Sequence, residues 1–289
     1  MSRLFEALQH SELETQQPSD RAPFIMESGD LSPQTQPARP ELEQARSVPI
    51  SVSAESDLPF LSDRMAIASE KFRLLAFRLR QAQERSGFKK LLVTSAAVQD
   101  GKSLISANLA GTLAAWEKQR VLLIEGDLRQ PRLGHIFGMQ DFVGLSDWMD
   151  HQSQPFTKFS YRLGDMSLWL MPAGTGKVSA LEILNSERLR NLMEELASQF
   201  DCIVIDSPPL LPLADTHLWE TLADATLLVV REGKTPKKML QQALENLDRA
   251  KLIGAVLNEA TLGHNKYYQY YGQSGQSVNP PSGPAEATK

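Results

Sequence analysis

The chain has 289 residues, 42% of them hydrophobic, and a formal net charge of −5 at pH 7. That length holds one large or two small domains with a sizeable core, and the acidic balance excludes a surface built to coat nucleic acid, which needs a basic excess. A single cysteine, Cys202, excludes a disulfide framework, fits a reducing cytoplasmic compartment, and sits inside an apolar run as a small core residue would.

Residues 1–9 place Leu4, Phe5 and Leu8 on one face of a short helix, either a frayed end or a docking peptide. Residues 10–60 turn rich in Gln, Ser, Pro and Glu, with seven of the chain's 17 prolines between Pro18 and Pro59. That composition cannot bury enough apolar surface to offset chain entropy, so 1–60 is expected to be a short helix and a disordered linker. The folded domain is expected over 61–265, and a tyrosine cluster with a flexible Gly/Ser/Pro tail over 266–289. No run reaches the roughly 18 apolar residues of a membrane span, and no secretory signal heads the sequence.

Within 61–265 a helix carrying Phe72, Leu75 and Leu79 precedes a strand over 89–94. A helix over 103–116 follows, then strands over 120–124, 167–171, 202–205, 225–230 and 253–257, with helices over 187–198 and 236–251 between some of them. The strands are continuously apolar, which requires helices on both faces of a mostly parallel sheet. The fold class is α/β.

Between the first strand and its helix lies Ala96-Ala97-Val98-Gln99-Asp100-Gly101-Lys102-Ser103. A loop closing on Gly-Lys-Ser turns successive N–H groups inward, and the following helix adds its positive end, so that phosphate oxygens are cradled. Lys102 would bridge β- and γ-phosphates, Ser103 would ligate Mg²⁺, and Gly101 admits the backbone close to the phosphates. Asp127 follows the strand over 120–124, and Asp206 ends the run Cys202-Ile203-Val204-Ile205-Asp206. Carboxylates at strand carboxyl ends face the crevice where α/β folds bind ligands, and Asp206 would hold a water on the metal. Their ordinary alternative is a helix cap or an ion pair. A nucleoside triphosphate with Mg²⁺ is the implied ligand. The five histidines form no metal-spaced set.

In this order the phosphate loop, Val121-Leu122-Leu123-Ile124-Glu125-Gly126-Asp127-Leu128-Arg129-Gln130-Pro131 and Cys202-Ile203-Val204-Ile205-Asp206-Ser207-Pro208-Pro209 resemble the bacterial tyrosine kinases of capsule and exopolysaccharide synthesis. The Leu227–Arg231 stretch, Thr235-Pro236, Gly254-Ala255-Val256-Leu257-Asn258 and the terminal tyrosines resemble that family too, over roughly 65–272. The resemblance implies a deviant P-loop NTPase fold and ATP with Mg²⁺ held at Ala97, Val98, Gln99, Asp100, Gly101, Lys102, Ser103, Leu104 and Asn258. It makes Lys102, Glu125, Asp127 and Asp206 catalytic, with Ser103, Asp127 and Asp206 on the metal, and Glu125 the base or orienting group for a tyrosine hydroxyl. It implies autophosphorylation in trans within a ring-like homo-oligomer, a membrane-anchored chain-length determinant protein as activator, and a cognate tyrosine phosphatase. The chain would then be cytoplasmic and recruited through that partner to the inner face of the plasma membrane, with no nucleic-acid partner.

Three departures stand out. The family carries Asp at the place of Glu125; Glu keeps the carboxylate but reaches a methylene further, so activity is expected to survive. The family's oligomer pattern Glu-x-x-Arg-x-x-Arg meets Glu70 and Arg73 but then Ala76; an i,i+3 ion pair on a solvated helix face is the plain alternative. Gln99 and Asp100 replace Gly-Glu, and their side chains are expected to point away from the cradle with little effect.

Tyr267, Tyr268, Tyr270 and Tyr271 are four of the chain's five tyrosines. Next to an ATP site they read as phosphate acceptors, and otherwise as a sticky terminus. The leading expectation is therefore a tyrosine autokinase regulating polysaccharide synthesis and export. A catalytically weak or inactive ATP-binding switch or adaptor of the same machinery is the alternative. A partitioning or division-site ATPase, which shares the loop, is disfavoured because Ala97 stands where those proteins carry a signature lysine.

Overall fold

The computed structural model describes residues 42, 45–50, 58–61, 67–151, 153–211 and 214–260. The 1–9 helix, most of the linker and the tyrosines at 267–271 lie outside the described residues.

Eight strands form one sheet: β1 (Arg46–Val48), β2 (Lys90–Ser95), β3 (Val121–Glu125), β4 (Tyr161–Leu163), β5 (Leu168–Met171), β6 (Cys202–Asp206), β7 (Ala225–Arg231) and β8 (Leu252–Asn258). Their order across the sheet is β1-β4-β5-β3-β6-β2-β7-β8. Neighbours pair in parallel except β4 with β5. The helices among residues 67–260 are α1 (Ile67–Ser86), α2 (Lys102–Trp116), α3 (Leu133–Ile136), α4 (Leu145–Asp150), α5 (Ala180–Asn185), α6 (Glu187–Gln199), α7 (Asp215–Leu222) and α8 (Lys237–Asn246). A 3₁₀ turn spans Phe156–Lys158. The α/β class expected from the apolar strands is the class observed.

Alternation along each strand divides the core. Leu91, Val93, Val121, Leu123, Cys202 and Val204 face one side, against Ala76 and Leu79 of α1, Leu109 and Leu113 of α2, and Leu133 of α3. Leu92, Leu122, Ile124, Ile203 and Ile205 face the other, against Leu145 of α4, Ile183 of α5, Leu192 and Leu196 of α6, and Trp219 of α7. Strands covered on both faces have no polar side to present, which is why β2, β3, β5 and β6 are buried along their whole length. Helix α2 shows the same logic: it lies between sheet and α1, and only its last two residues are exposed. Gly111 in its middle admits the Phe60 ring where any side chain would stand.

The linker reading extends too far. Arg46–Val48 forms an edge strand in register with Tyr161–Leu163, and Leu42, Ala45, Val48 and Leu58 are buried. Three residues, two of them polar, carry too little periodicity to register, and Pro49 ends the strand at once. Helix α8 also stops earlier than expected. Asp248 donates its N–H to Glu220 and accepts from the Ala250 N–H, a turn that competes with continued helix. Cys202 is a fully buried free thiol, pushed up to about 12 by that burial. Ala76 is fully buried, so the position where the resembling family has an arginine faces the core here. Arg73 pairs with Glu70, and its guanidinium lies 3.6 Å over the Trp116 ring. Among the described residues no helix is long and apolar enough to cross a membrane.

Candidate active site

Three strand ends meet at one edge of the sheet, with β6 between β3 and β2. Glu125 and Asp206 stand opposite one another in register, as do Val93 and Asp206. The polar ends of β3 and β6 therefore continue the same face that packs on α2.

The phosphate loop joins Ser95 to α2. Gln99 and Gly101 both take the left-handed backbone, at φ 64° and 91°. Gly101 suits that region, and any Cβ there would run into Asn258. A Gln at such a φ is strained by about 1–2 kcal/mol, which explains why glycine is the residue expected at 99. Helix geometry leaves the Lys102, Ser103 and Leu104 N–H groups without intrahelical acceptors; the first such bond is Ile105 N–H to the Gly101 carbonyl, 3.0 Å. Ala97 and Val98 lie on the turn that leads into these amides.

Asp100 does not point away as expected. Only 2% exposed, it accepts from the Ala97 N–H at 3.0 Å and from the Thr235 hydroxyl at 2.8 Å. Asn258 donates from Nδ2 to the Asp100 carbonyl at 2.9 Å, so the asparagine assigned to nucleotide also ties the end of β8 to the loop. Arg231 donates from Nη1 to the Gln99 carbonyl at 3.1 Å and grips Glu259 through Nε at 2.7 Å and Nη2 at 2.6 Å. The braces Thr235 and Arg231 were named in the sequence only as part of a resemblance. Their partners are 135 and 132 residues away, a pairing no local pattern encodes.

Lys102 meets Asp127, Nζ to Oδ2 3.1 Å, and Asp127 also accepts the Gln130 N–H at 3.0 Å. Asp206 is fully buried and accepts at Oδ1 from the Ser106 hydroxyl at 3.3 Å, while its Oδ2 has no hydrogen-bond partner among the described residues. Burial drives its carboxyl up to about 7; the Lys102 charge and the Ser103 hydroxyl oppose the rise, and Glu125 and Asp127 add to it. Between the two carboxylates, Gly126 donates its N–H to the Asp206 carbonyl at 2.8 Å and accepts at its own carbonyl from Trp219 Nε1 at 2.9 Å. Ser106 and Trp219 went unnoticed in the sequence. Ser106 lies one helical turn beyond Lys102, a spacing that could have flagged it.

Glu125 points elsewhere. At 1% exposed, it accepts from the N–H groups of Leu133 at 2.5 Å, Gly134 at 3.2 Å and Ala173 at 3.0 Å. Burial raises its carboxyl above the usual range, and those N–H groups oppose the rise.

The group fits Mg²⁺ with a nucleoside triphosphate. An orphaned buried carboxylate oxygen, a nearby hydroxyl and a second carboxylate are hard oxygen donors, and few are needed because Mg²⁺ keeps most of its waters. Among the described residues there is no cluster of three or more His, Cys, Asp or Glu of the kind an all-protein metal site requires.

No family model matches the chain. Among known proteins it is similar to tyrosine-protein kinase YwqD of Bacillus subtilis, 30% identical over 214 residues, covering 73% of this chain and 90% of that one. It is 32% identical over 222 residues to the succinoglycan biosynthesis transport protein ExoP of Rhizobium meliloti, covering 71% of this chain but only 28% of ExoP. Among solved structures the chimerical protein CapA2B2 superposes with a TM-score of 0.65 at 26% identity, over 75% of this chain and 95% of that one.

Proposed function

The chain belongs to the bacterial tyrosine-protein kinases, and from that premise we propose that it transfers the γ-phosphoryl group of ATP to Tyr267, Tyr268, Tyr270 and Tyr271 of a neighbouring copy. One observation carries the reading: Lys102 and Asp127 in contact beside a fully buried Asp206 with an unpartnered oxygen, all at the mouth of the phosphate loop.

Ala97 to Leu104 would cradle the phosphates, and Lys102 would leave Asp127 for the β- and γ-phosphates as substrate enters. Ser103, Asp127 and Asp206 would hold Mg²⁺, which supplies charge neutralisation across the phosphates. The tyrosine oxygen bonds to the γ-phosphorus as the bond to the β,γ-bridging oxygen breaks. The electron pair of that bond leaves with ADP, and the phenolic proton is released to solvent. A carboxylate is a weak base for a phenol of pKa ~10, but loose phosphoryl transfer asks mainly for alignment.

Around this chemistry stand the remaining elements of the proposal. Glu70, exposed on α1, and Arg73, half-buried against Trp116, contribute to a homo-oligomer, a membrane-anchored chain-length determinant protein recruits and activates the kinase at the inner membrane face, and a tyrosine phosphatase resets it. Regulation of polysaccharide synthesis and export is supported by the likeness to a succinoglycan biosynthesis protein. A second reading, a nucleotide-gated adaptor with little transfer, is favoured by one observation: the Glu125 carboxylate is engaged by backbone amides.

The test is label from ATP with Mg²⁺ on the purified chain. Lys102→Met should abolish it, because the phosphates lose their cation. Replacing the four clustered tyrosines with Phe should remove most label and leave ATP affinity intact. Bound ATP without label in the unmodified chain would select the adaptor, and label persisting in the Phe variant would refute the acceptor assignment.

A further inference from the structure

We infer that Glu125 is a positioning residue that fixes the acceptor-side wall of the site, and that it takes no proton from the tyrosine; the inference rests on the kinase reading above. Both carboxylate oxygens are committed. Oε1 accepts from Leu133 and Gly134, and Oε2 accepts from Ala173 at 3.0 Å and more weakly from Gly134 at 3.3 Å. At 1% exposed, the side chain offers no face to an incoming phenol.

The two segments it joins follow different strands, β3 and β5. Leu133 and Gly134 open α3, at the end of the loop that begins at Asp127. Ala173 follows β5, and beyond it the chain is tied down again from α4. Asp147 accepts from the N–H groups of Gly144 at 2.8 Å and Thr175 at 2.9 Å, and Ser146 Oγ accepts from the Gly176 N–H at 3.0 Å. Gly176 packs so closely on Ser146 that a Cβ has no room. A continuous set of ties thus runs from Glu125 through the 173–176 loop to α4.

Sheet order says which substrate this wall serves. The phosphate loop follows β2, with β7 and β8 beyond it, and their ends carry Arg231 and Asn258, which brace that loop. β3 and β5 lie on the other side of β6, so the wall they support flanks Asp127 away from the phosphate loop. That is the side left for the acceptor tyrosine. The extra methylene of Glu over Asp, about 1.5 Å of reach, is what spans both segments at once. A Gln would keep the length but set its amide NH₂ against one of the N–H donors.

The test uses the full chain with Glu125→Asp and Glu125→Gln, and a Lys102→Met chain titrated as acceptor. Without nucleotide, amide exchange at 133–134 and 173–176 should speed up at least tenfold in both variants. With ATP, both should lose roughly tenfold in kcat/KM for the acceptor chain, keep ATP affinity within about twofold, and retain the acid limb of the rate profile. Near-normal activity in Glu125→Asp with a loss beyond about 1,000-fold and no acid limb in Glu125→Gln would make Glu125 the proton acceptor and overturn the inference. Unchanged exchange in both would overturn it as well. If Glu125→Gln does not fold, Glu125→Asp alone still decides. The exchange readout needs no phosphoryl transfer, so a chain without kinase activity would sink the kinase reading and leave this result standing.

Discussion

Asp206 shows how a residue's surroundings, more than its type, set its chemistry. An ordinary aspartate titrates near 3.8; burial lifts this one to about 7. The folded chain therefore binds more protons than the unfolded one between those values, so the stability of the nucleotide-free protein falls as pH rises from about 4 to 7. A shift of about three pH units bounds the effect at about 4 kcal/mol. Urea midpoints measured across that window should fall with pH and flatten in Asp206→Asn; a flat profile in the unmodified chain would show that the carboxyl is not buried alone. The same proton must leave before a cation is met, so Mg²⁺-dependent ATP affinity should weaken about tenfold per pH unit below 7. Lys102, Asp127 and Asp206 were legible in the sequence because each ends or follows an apolar strand. The buried state of Asp206 and the diversion of Glu125 were not, since both depend on what the neighbouring strands and loops bring alongside.

At the scale of elements, the phosphate loop is held from outside by the ends of β7 and β8 and by the residues leading into α8. Thr235 carries that link: its hydroxyl donates to Asp100 and accepts from the Arg231 N–H at 2.8 Å. Thr235→Val keeps the shape and deletes both bonds, leaving a buried carboxylate oxygen without its donor. The cost should be roughly 1–3 kcal/mol in unfolding free energy, with ATP affinity reduced about tenfold by calorimetry. Unchanged affinity would mean that the loop holds its conformation by itself. The long strands and helices α1, α2 and α6 were readable because their apolar spacing persists over many residues. Helices α3, α4, α5 and α7, of four to eight residues, and strands β1 and β4, of three, were missed. Such pieces are fixed by tertiary contacts, such as Glu125 on α3, Asp147 within α4 and Trp219 of α7 on Gly126.

For the whole molecule the governing quantity is charge. The chain starts at −5, and each phosphate on the tyrosine cluster adds about −1.5 to −2. Full modification would more than double the net negative charge and set neighbouring copies against one another. Sedimentation at moderate salt should show an assembly of unmodified chains that dissociates on phosphorylation, with the effect screened by added salt. An assembly indifferent to phosphorylation would remove charge as the switch. Ala76 in the core leaves Glu70 and Arg73 as the α1 residues proposed for the contact, so Arg73→Ala should weaken assembly without touching ATP affinity.

Phosphoryl transfer between copies can be read by mixing two chains. One is isotopically heavy, carries Lys102→Met and keeps its tyrosines; the other is light, has an intact phosphate loop and carries Phe at positions 267, 268, 270 and 271. After incubation with ATP and Mg²⁺, intact-mass measurement should find phosphate on the heavy chain, mapped to 267–271, and little or none on the light one. Phosphate on neither chain, with ATP demonstrably bound to the light one, would contradict the account and leave a nucleotide-binding adaptor in its place.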